Sequence, residues 1–361
     1  MTWKSTKKKI VALGGDGIGP EVVDATCSIL ERAGFALDIV KPLNGDLAVN
    51  QGKEAFPDET KKLCDQADAV IFGAAQTASL PILFYLRWIY DNYLLIRPIK
   101  FYEGLGSCLK DPSGIDFVIF RELSEGLYPG QEGDLSLLVE RLPDFRGKTG
   151  NAFADYGKGK FAVRIVSERG VKRLASYACQ YTLQRKKQGY PGKLTCVTKS
   201  NILTESDGLF QGLVEEEVNR FPEITYEHYY VDDAARRLLR YAREFDVMVT
   251  SNLFGDILSD EAAELVGGLG LAGSAAIGGK VPLFEPTHGS APKYAGKNVI
   301  NPTATILSAK LMLEHLGMRE EAIALEKAVA AIFKEGKTLT YDLGGKATTT
   351  EFADAVLKKI K

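Results

Sequence analysis

Short apolar runs alternate with stretches of helical spacing along this chain, and that alternation limits its fold more than any other feature. Residues 10–13 (IVAL) form an apolar run, followed by GGDGIG at 14–19 and PEVV at 20–23. Pro20 suits the first position of a helix and Glu21 its positive end. Val22, Val23, Thr26, Ile29 and Leu30 then recur at helical spacing. A second such unit has a helix over 58–64 and a buried strand over 69–73. Further strands are expected at 116–120, 193–198, 224–231 and 246–250, with a half-buried alternating one at 161–166. Strands interleaved with helices predict an α/β fold with a largely parallel sheet. Residues 88–96 read as an apolar, aromatic, helix-like stretch, and the Gly-rich residues 266–279 as a long loop. Residues 143–160 are Gly-rich and charged without a core pattern, which suits an arm covered by another chain.

At 361 residues the chain fits two domains or one large one, with a core that needs no disulfide or metal staple. Lys plus Arg number 45 against 47 for Asp plus Glu, so there is no global basic footprint for nucleic acid. Lys7, Lys8 and Lys9 read as a solvated start. No run approaches the ~18 apolar residues of a membrane span. The start, Met1 to Lys4, lacks the apolar region of a secretory leader. Cys27, Cys64, Cys108, Cys179 and Cys196 are odd in number and never in a CxxC, which suits a reducing cytoplasm and rules against a disulfide framework. His228, His288 and His315 are too scattered for a His-rich metal site.

The glycine loop does not license a Rossmann fold. That fingerprint needs glycine at i, i+2 and i+5, and counting from Gly15 and Gly17 the third place is Pro20. Arginine, by contrast, stands in unexpected company. Arg87 and Arg97 bracket an apolar stretch, and Arg121 follows the apolar strand ending at Phe120. Each alone reads as a structural ion pair. Together they match a clamp for a substrate with more than one carboxylate, because the guanidinium fork fits carboxylates bidentately. Asp256 and Asp260 lie i, i+4 and so share a helix face. They are two solvated acids at a helix start, or they hold a hard divalent cation between them. Lys199 at a strand end is a candidate base, against an ordinary surface lysine. Tyr128 is a candidate proton donor, against simple packing.

With these residues in place, the chain resembles the metal-dependent β-decarboxylating dehydrogenases, the family of isopropylmalate and isocitrate dehydrogenases. The likeness lies in residues 14–22, 87–100, 120–130 (FRELSEGLYPG), 197–210 (VTKSNILTESDGLF), 229–235, 249–270 (VTSNLFGDILSDEAAELVGGLG) and 285–302 (EPTHGSAPKYAGKNVINP), in family order. The resemblance implies two α/β domains sharing a central sheet, not a Rossmann fold. The cofactor-binding domain would comprise 1–102 and 267–361. A smaller domain, 103–266, would carry the dimer interface and the arm at about 143–160. It further implies that Arg87, Arg97 and Arg121 hold substrate carboxylates and that Tyr128 protonates carbon. Lys199 would help deprotonate the 2-hydroxyl from the second subunit of a homodimer, with Asp232 as its partner or as a metal ligand. Asp256 and Asp260 would bind Mg²⁺ or Mn²⁺. His288, Gly289, Ser290, Ala291 and Asn301, with Glu285 beside them, would hold the nicotinamide cofactor. The activity implied is oxidative β-decarboxylation of a 2-hydroxy dicarboxylate with hydride transfer to NAD(P).

Departures from the family pattern bear on specificity. The segment before Arg87 reads the substrate's variable arm in such enzymes. Isocitrate enzymes carry Ser and Asn where this chain has Pro81 and Leu83. Leu83, Phe84 and Leu123 resemble the apolar pocket of an isopropylmalate enzyme, although Phe84 and Tyr85 are bulkier than usual. Residues 74–78 lack the usual Gly-Gly-Pro. NAD-using members have Asp-Ile where this chain has Lys293 and Tyr294, a pair that suits the 2′-phosphate of NADP. Tyr341 matches a second phosphate contact, but Gly345 replaces the arginine expected with it. The expectation is a 3-isopropylmalate-type enzyme favouring NADP. The alternatives are isocitrate, homoisocitrate, tartrate or D-malate as substrate, or a non-catalytic subunit of a heteromeric dehydrogenase.

Overall fold

A computed structural model of the protein describes residues 7–360. The expectation for residues 1–4 lies outside them. Ten strands form one mixed sheet: β1 (Lys8–Gly15), β2 (Leu37–Val40), β3 (Ala69–Ala74), β4 (Leu94–Lys100), β5 (Asp116–Glu122), β8 (Lys193–Thr198), β9 (Thr225–Tyr230), β10 (Val247–Thr250), β11 (Gly273–Ile277) and β12 (Leu283–Pro286). Between β5 and β8, β6 (Glu132–Asp134) and β7 (Lys160–Ala162) make a separate two-stranded ribbon. The order across the large sheet is β2-β1-β3-β12-β11-β4-β5-β10-β8-β9.

Two parallel blocks, β2-β1-β3-β12 and β5-β10-β8-β9, meet through the antiparallel strands β11 and β4. The chain builds the first block as far as β4, crosses to the second, and returns through β11 and β12. Alternate residues of β1 serve opposite cores: Ile10 and Ala12 face one, Val11 and Leu13 the other. Such continuous apolar runs are what a sheet covered on both faces requires. All of this agrees with the expected α/β fold.

Several local expectations need correction. Residues 266–279 are not a long loop, because a short turn at Leu269–Leu271 leads into the fully buried β11. That strand is made of Gly, Ser and Ala, which carry little hydrophobic signal. A Cβ on Gly273 would lie 2.7 Å from the backbone nitrogen of Ser308, so smallness lets the helix Thr303–His315 press against the sheet. Residues 88–96 are not helical throughout. The helix Leu80–Phe84 widens into a single π turn, Tyr85–Ile89, and the chain reverses at Asp91 (φ 54°) before β4 begins. Arg97 is therefore in mid-strand, and Arg121 lies within β5 rather than after it. The strand expected at 161–166 shrinks to β7, with Ile165 making an isolated bridge to Gly126. Residues 143–160 are almost wholly exposed.

Among the described residues no helix is long and apolar enough to cross a membrane. All five cysteines are free, and burial pushes the thiols of Cys27, Cys64 and Cys179 up to about 12.

Candidate active site

The junction between the two blocks places the arginines. In the antiparallel β4–β5 pair, Leu95 stands opposite Arg121 and Arg97 opposite Ile119. Residues directly opposite share a face, so Arg97 and Arg121 project from the same side of the sheet as diagonal neighbours. β10 runs beside β5 with Thr250 against Arg121, and the helix Asn252–Glu264 starts immediately afterwards. A Cβ on Gly255 would lie 2.7 Å from Arg121 Cβ, so this glycine lets the helix settle onto the arginine.

That helix presents Asn252, Asp256, Ser259 and Asp260 to the arginines. Arg121 donates to Asn252 Oδ1 at 2.9 and 2.7 Å and pairs with Asp256. Arg97 lies 3.5 Å from Asp256 and 3.0 Å from Asp260, and also donates to Ser259. The i, i+4 acid pair thus does share one face. Tyr128 donates to Asp256 Oδ2 at 2.5 Å, and its ring lies 5.0 Å beneath the Arg121 guanidinium. Arg87, on the π turn, donates through Nε and Nη2 to Glu285 Oε1 at 3.0 and 2.7 Å. Glu285 is buried. Sequence reasoning placed it beside the cofactor loop and missed it as the counter-ion of Arg87. It also missed Asn252 and Ser259, although both lie at helical spacing from the aspartates.

Charge and burial set the ionisation. Burial opposes the charge on Asp256, but Arg121, Tyr128 and Arg97 outweigh it and hold the carboxyl below the usual range. Asp260 is pushed up, chiefly by burial, with Arg97 only partly offsetting it. Burial likewise lowers Arg97 and Arg121 and raises the Tyr128 phenol. Three guanidiniums therefore face three carboxylates, those of Asp256, Asp260 and Glu285. A face whose charges are already balanced would take up further carboxylates most readily together with a divalent cation. The hard oxygens of Asp256 and Asp260 are the donors such an ion prefers. Among the described residues no group of three or more His, Cys, Asp or Glu stands placed to hold a metal ion. Lys199 and Asp232 pair with each other instead, at the ends of β8 and β9. The Lys199 backbone N–H is fixed by Asp207 at 2.6 Å.

The arm segment divides. Leu83 and Leu123 are buried in the apolar core, whereas Pro81 and Phe84 are exposed. Phe84 stacks on Trp88 with ring centroids 4.6 Å apart, and Trp88 Nε1 donates to the Leu123 carbonyl at 3.1 Å. These contacts put the 83–88 segment against Leu123, one residue pair beyond Arg121.

The glycine loop meets the 288–291 segment. Ile18 N donates to Ser290 O at 2.9 Å, and Gly17 (φ 57°) lies where a Cβ would be 2.2 Å from that oxygen. Asp16, almost fully buried, accepts from Gln76 N and Ser79 N at 2.7 and 2.9 Å, and so organises the 76–79 loop that lacks the usual Gly-Gly-Pro. Ser290 Oγ closes the circuit to Gln76 at 2.6 Å. Ala291 adopts a left-handed conformation (φ 35°), and Gly289 has open space around it. Burial pushes the His288 imidazole below its usual value, and its Nε2 is buried without a partner among the described residues. An orphaned ring nitrogen beside an open glycine fits a bound group. Asn301 anchors this region to Asp342 at 3.0 Å. Tyr294 and Tyr341 face each other at 5.8 Å, with Lys293 and Lys297 5.1 and 5.8 Å from the Tyr294 ring. A Cβ on Gly345 would lie 1.9 Å from Leu339 O, so no arginine fits there on this backbone.

Comparison with known proteins agrees with this geometry. The isocitrate/isopropylmalate dehydrogenase family model matches residues 9–356, and the chain belongs to that family. It is thus a decarboxylating dehydrogenase acting on a hydroxy acid. It is 43% identical over 353 residues to the 3-isopropylmalate/3-methylmalate dehydrogenase of Methanocaldococcus jannaschii, covering 98% of this chain and 99% of that one. It is 40% identical to the 3-isopropylmalate dehydrogenase of Methanothermobacter thermautotrophicus, over 98% of each chain. Among solved structures, isocitrate dehydrogenase from Methylococcus capsulatus superimposes with a TM-score of 0.83 at 32% identity, covering 98% of this chain and 99% of that one.

Proposed function

We propose that the protein oxidises and decarboxylates a 3-substituted malate with an apolar arm, of the 3-isopropylmalate type, using NADP in preference to NAD and Mg²⁺ or Mn²⁺. The observation that carries this reading is the face on which Arg97 and Arg121 meet Asp256 and Asp260, with Arg87 on Glu285 beside them. The three arginines bind and orient the substrate carboxylates. Asp256 and Asp260 would hold the cation, and His288 to Ala291, Asn301, Lys293, Tyr294 and Tyr341 the cofactor. A bound cation would supply Lewis-acid chemistry and a bound nicotinamide cofactor a hydride acceptor. Lys199 takes the hydroxyl proton, and Tyr128 delivers one to carbon after CO₂ leaves.

That Lys199 pairs with Asp232 in one chain, and not with the arginine face, supports a dimer in which Lys199 serves the site of a second copy. Exposed Phe145 and Tyr156 on the arm, and Ile202 and Leu203 after Lys199, form apolar surface for a second copy. Lys148 of the arm donates to Ile202 O at 2.7 Å, so arm and lysine turn share one surface. A division into domains near 102–103 and 266–267 is supported by the chain's passage from one sheet block to the other between β4 and β5 and its return before β11. A cytoplasmic location accords with the free cysteines.

The arm preference rests on Leu83, Phe84, Trp88 and Leu123, which offer no cation to a third carboxylate. Burying that carboxylate unpaired costs several kcal/mol. An alkyl arm instead gains about 25 cal/mol per Å² of apolar area removed from water. The test is kcat/KM for 3-isopropylmalate, isocitrate, homoisocitrate, tartrate and D-malate with each cofactor. A tenfold preference for isocitrate, about 1.4 kcal/mol, would overturn the arm assignment. Inactivity with every acid would favour a non-catalytic subunit.

A further inference from the structure

The π turn that carries Arg87 needs something to hold it. In a π turn the bonding spacing lengthens from i+4 to i+5, and such turns are frequent at functional sites. Asn92, fully buried, supplies partners to two carbonyls of this segment. Its Nδ2 donates to Leu86 O at 2.8 Å, and its backbone N–H donates to Arg87 O at 2.8 Å.

The same side chain reaches a second element. Nδ2 also donates to Val281 O at 2.8 Å, and Oδ1 accepts from Gly279 N at 3.1 Å. Gly279 and Val281 belong to the turn joining β11 to β12, the strand that bears Glu285. This turn is seated closely: a Cβ on Gly279 would lie 1.8 Å from Tyr90 O, and Lys280 N donates to that oxygen at 2.7 Å. One amide thus ties the turn carrying Arg87 to the approach of its counter-ion.

We propose that Asn92 is a positioning residue for Arg87, setting where the guanidinium stands relative to Glu285 and hence to a substrate carboxylate. The proposal rests on the reading of Arg87 as a carboxylate-binding residue. Only a primary amide of this length provides two donors and one acceptor here. An aspartate keeps the shape and the acceptor but removes both donors, and a leucine removes all three.

The test uses the full-length enzyme with Asn92→Asp, Arg87→Ala and the double variant, checked for folding by circular dichroism. Steady-state KM is measured for 3-isopropylmalate and for the nicotinamide cofactor. Asn92→Asp is expected to raise KM for the acid about tenfold while changing KM for the cofactor less than about twofold. In the Arg87→Ala background the same substitution is expected to add less than about twofold, because residues acting through one another are not additive. Additive effects, an equal rise in both KM values, or a lowered Tm with both KM values unchanged would each overturn the proposal. Should Asn92→Asp fail to fold, Asn92→Ser carries the same comparison, and failure of both would show that Asn92 holds the fold rather than Arg87. An unchanged KM for every malate in Arg87→Ala is a separate result, and it removes the reading of Arg87 on which the proposal stands.

Discussion

Tyr128 donates its hydroxyl proton to Asp256 Oδ2 at 2.5 Å while the other oxygen of Asp256 meets Arg121. One carboxylate therefore joins the candidate proton donor, a candidate substrate-binding arginine and the candidate metal site. Its neighbour Asp260, one turn on, pairs with Arg97.

Replacing Asp256 with Asn should lower turnover by about 100-fold or more, as removal of a key electrostatic group does. Binding of Mn²⁺, followed by calorimetry, should weaken in parallel, while the far-ultraviolet circular dichroism stays native. Retained turnover in the presence of EDTA would contradict the assignment.

Lys199→Ala and Asp256→Asn should each be inactive alone. Mixed and refolded together, they should regain roughly one quarter of the wild-type rate. Half the dimers are then mixed, and one of the two sites in each is intact if the site is shared across a two-fold interface. A mixture that stays inactive would place Lys199 outside the partner's site.

Cofactor choice should follow Lys293 and Tyr294. The wild-type ratio of kcat/KM should favour NADP, and Lys293→Asp with Tyr294→Ile should reverse it. Gly345→Arg should not strengthen NADP use, because its Cβ would collide with Leu339 O at 1.9 Å. A strong wild-type preference for NAD would reject the charge argument.

Gly17→Ala should destabilise the fold by at least about 1–2 kcal/mol, the cost of a left-handed backbone to an L-residue. The new methyl would also press on Ser290 O, so KM for the cofactor should rise more than KM for the acid. Urea unfolding and steady-state kinetics would test both.

Acid stability should depend on Glu326. Burial opposes its charge, but Lys310 and Lys100 outweigh burial and lower the carboxyl from 4.5 to about 2. A depressed folded-state value stabilises above the unfolded one and is lost as pH falls between 4.5 and about 2. Glu326→Gln should therefore flatten the fall in Tm across that window, a difference of about 3 kcal/mol at most.

The sequence by itself determined the α/β class, because continuous apolar runs such as 10–13 and 69–73 cannot be solvated on either face. It also determined that Asp256 and Asp260 share a helix face, since helical spacing alone dictates that. Motif order was enough to indicate the family. Only the tertiary structure decided that residues 273–277 are a central strand, because Gly, Ser and Ala leave no periodic signal and are chosen to admit a neighbouring helix. It alone paired Arg87 with Glu285, separated by 198 positions, through the π turn and Asn92. Local patterns record which face a residue occupies along its own element. Which charges meet is set by strand register and by the close approach of distant backbones, and no local pattern carries that information.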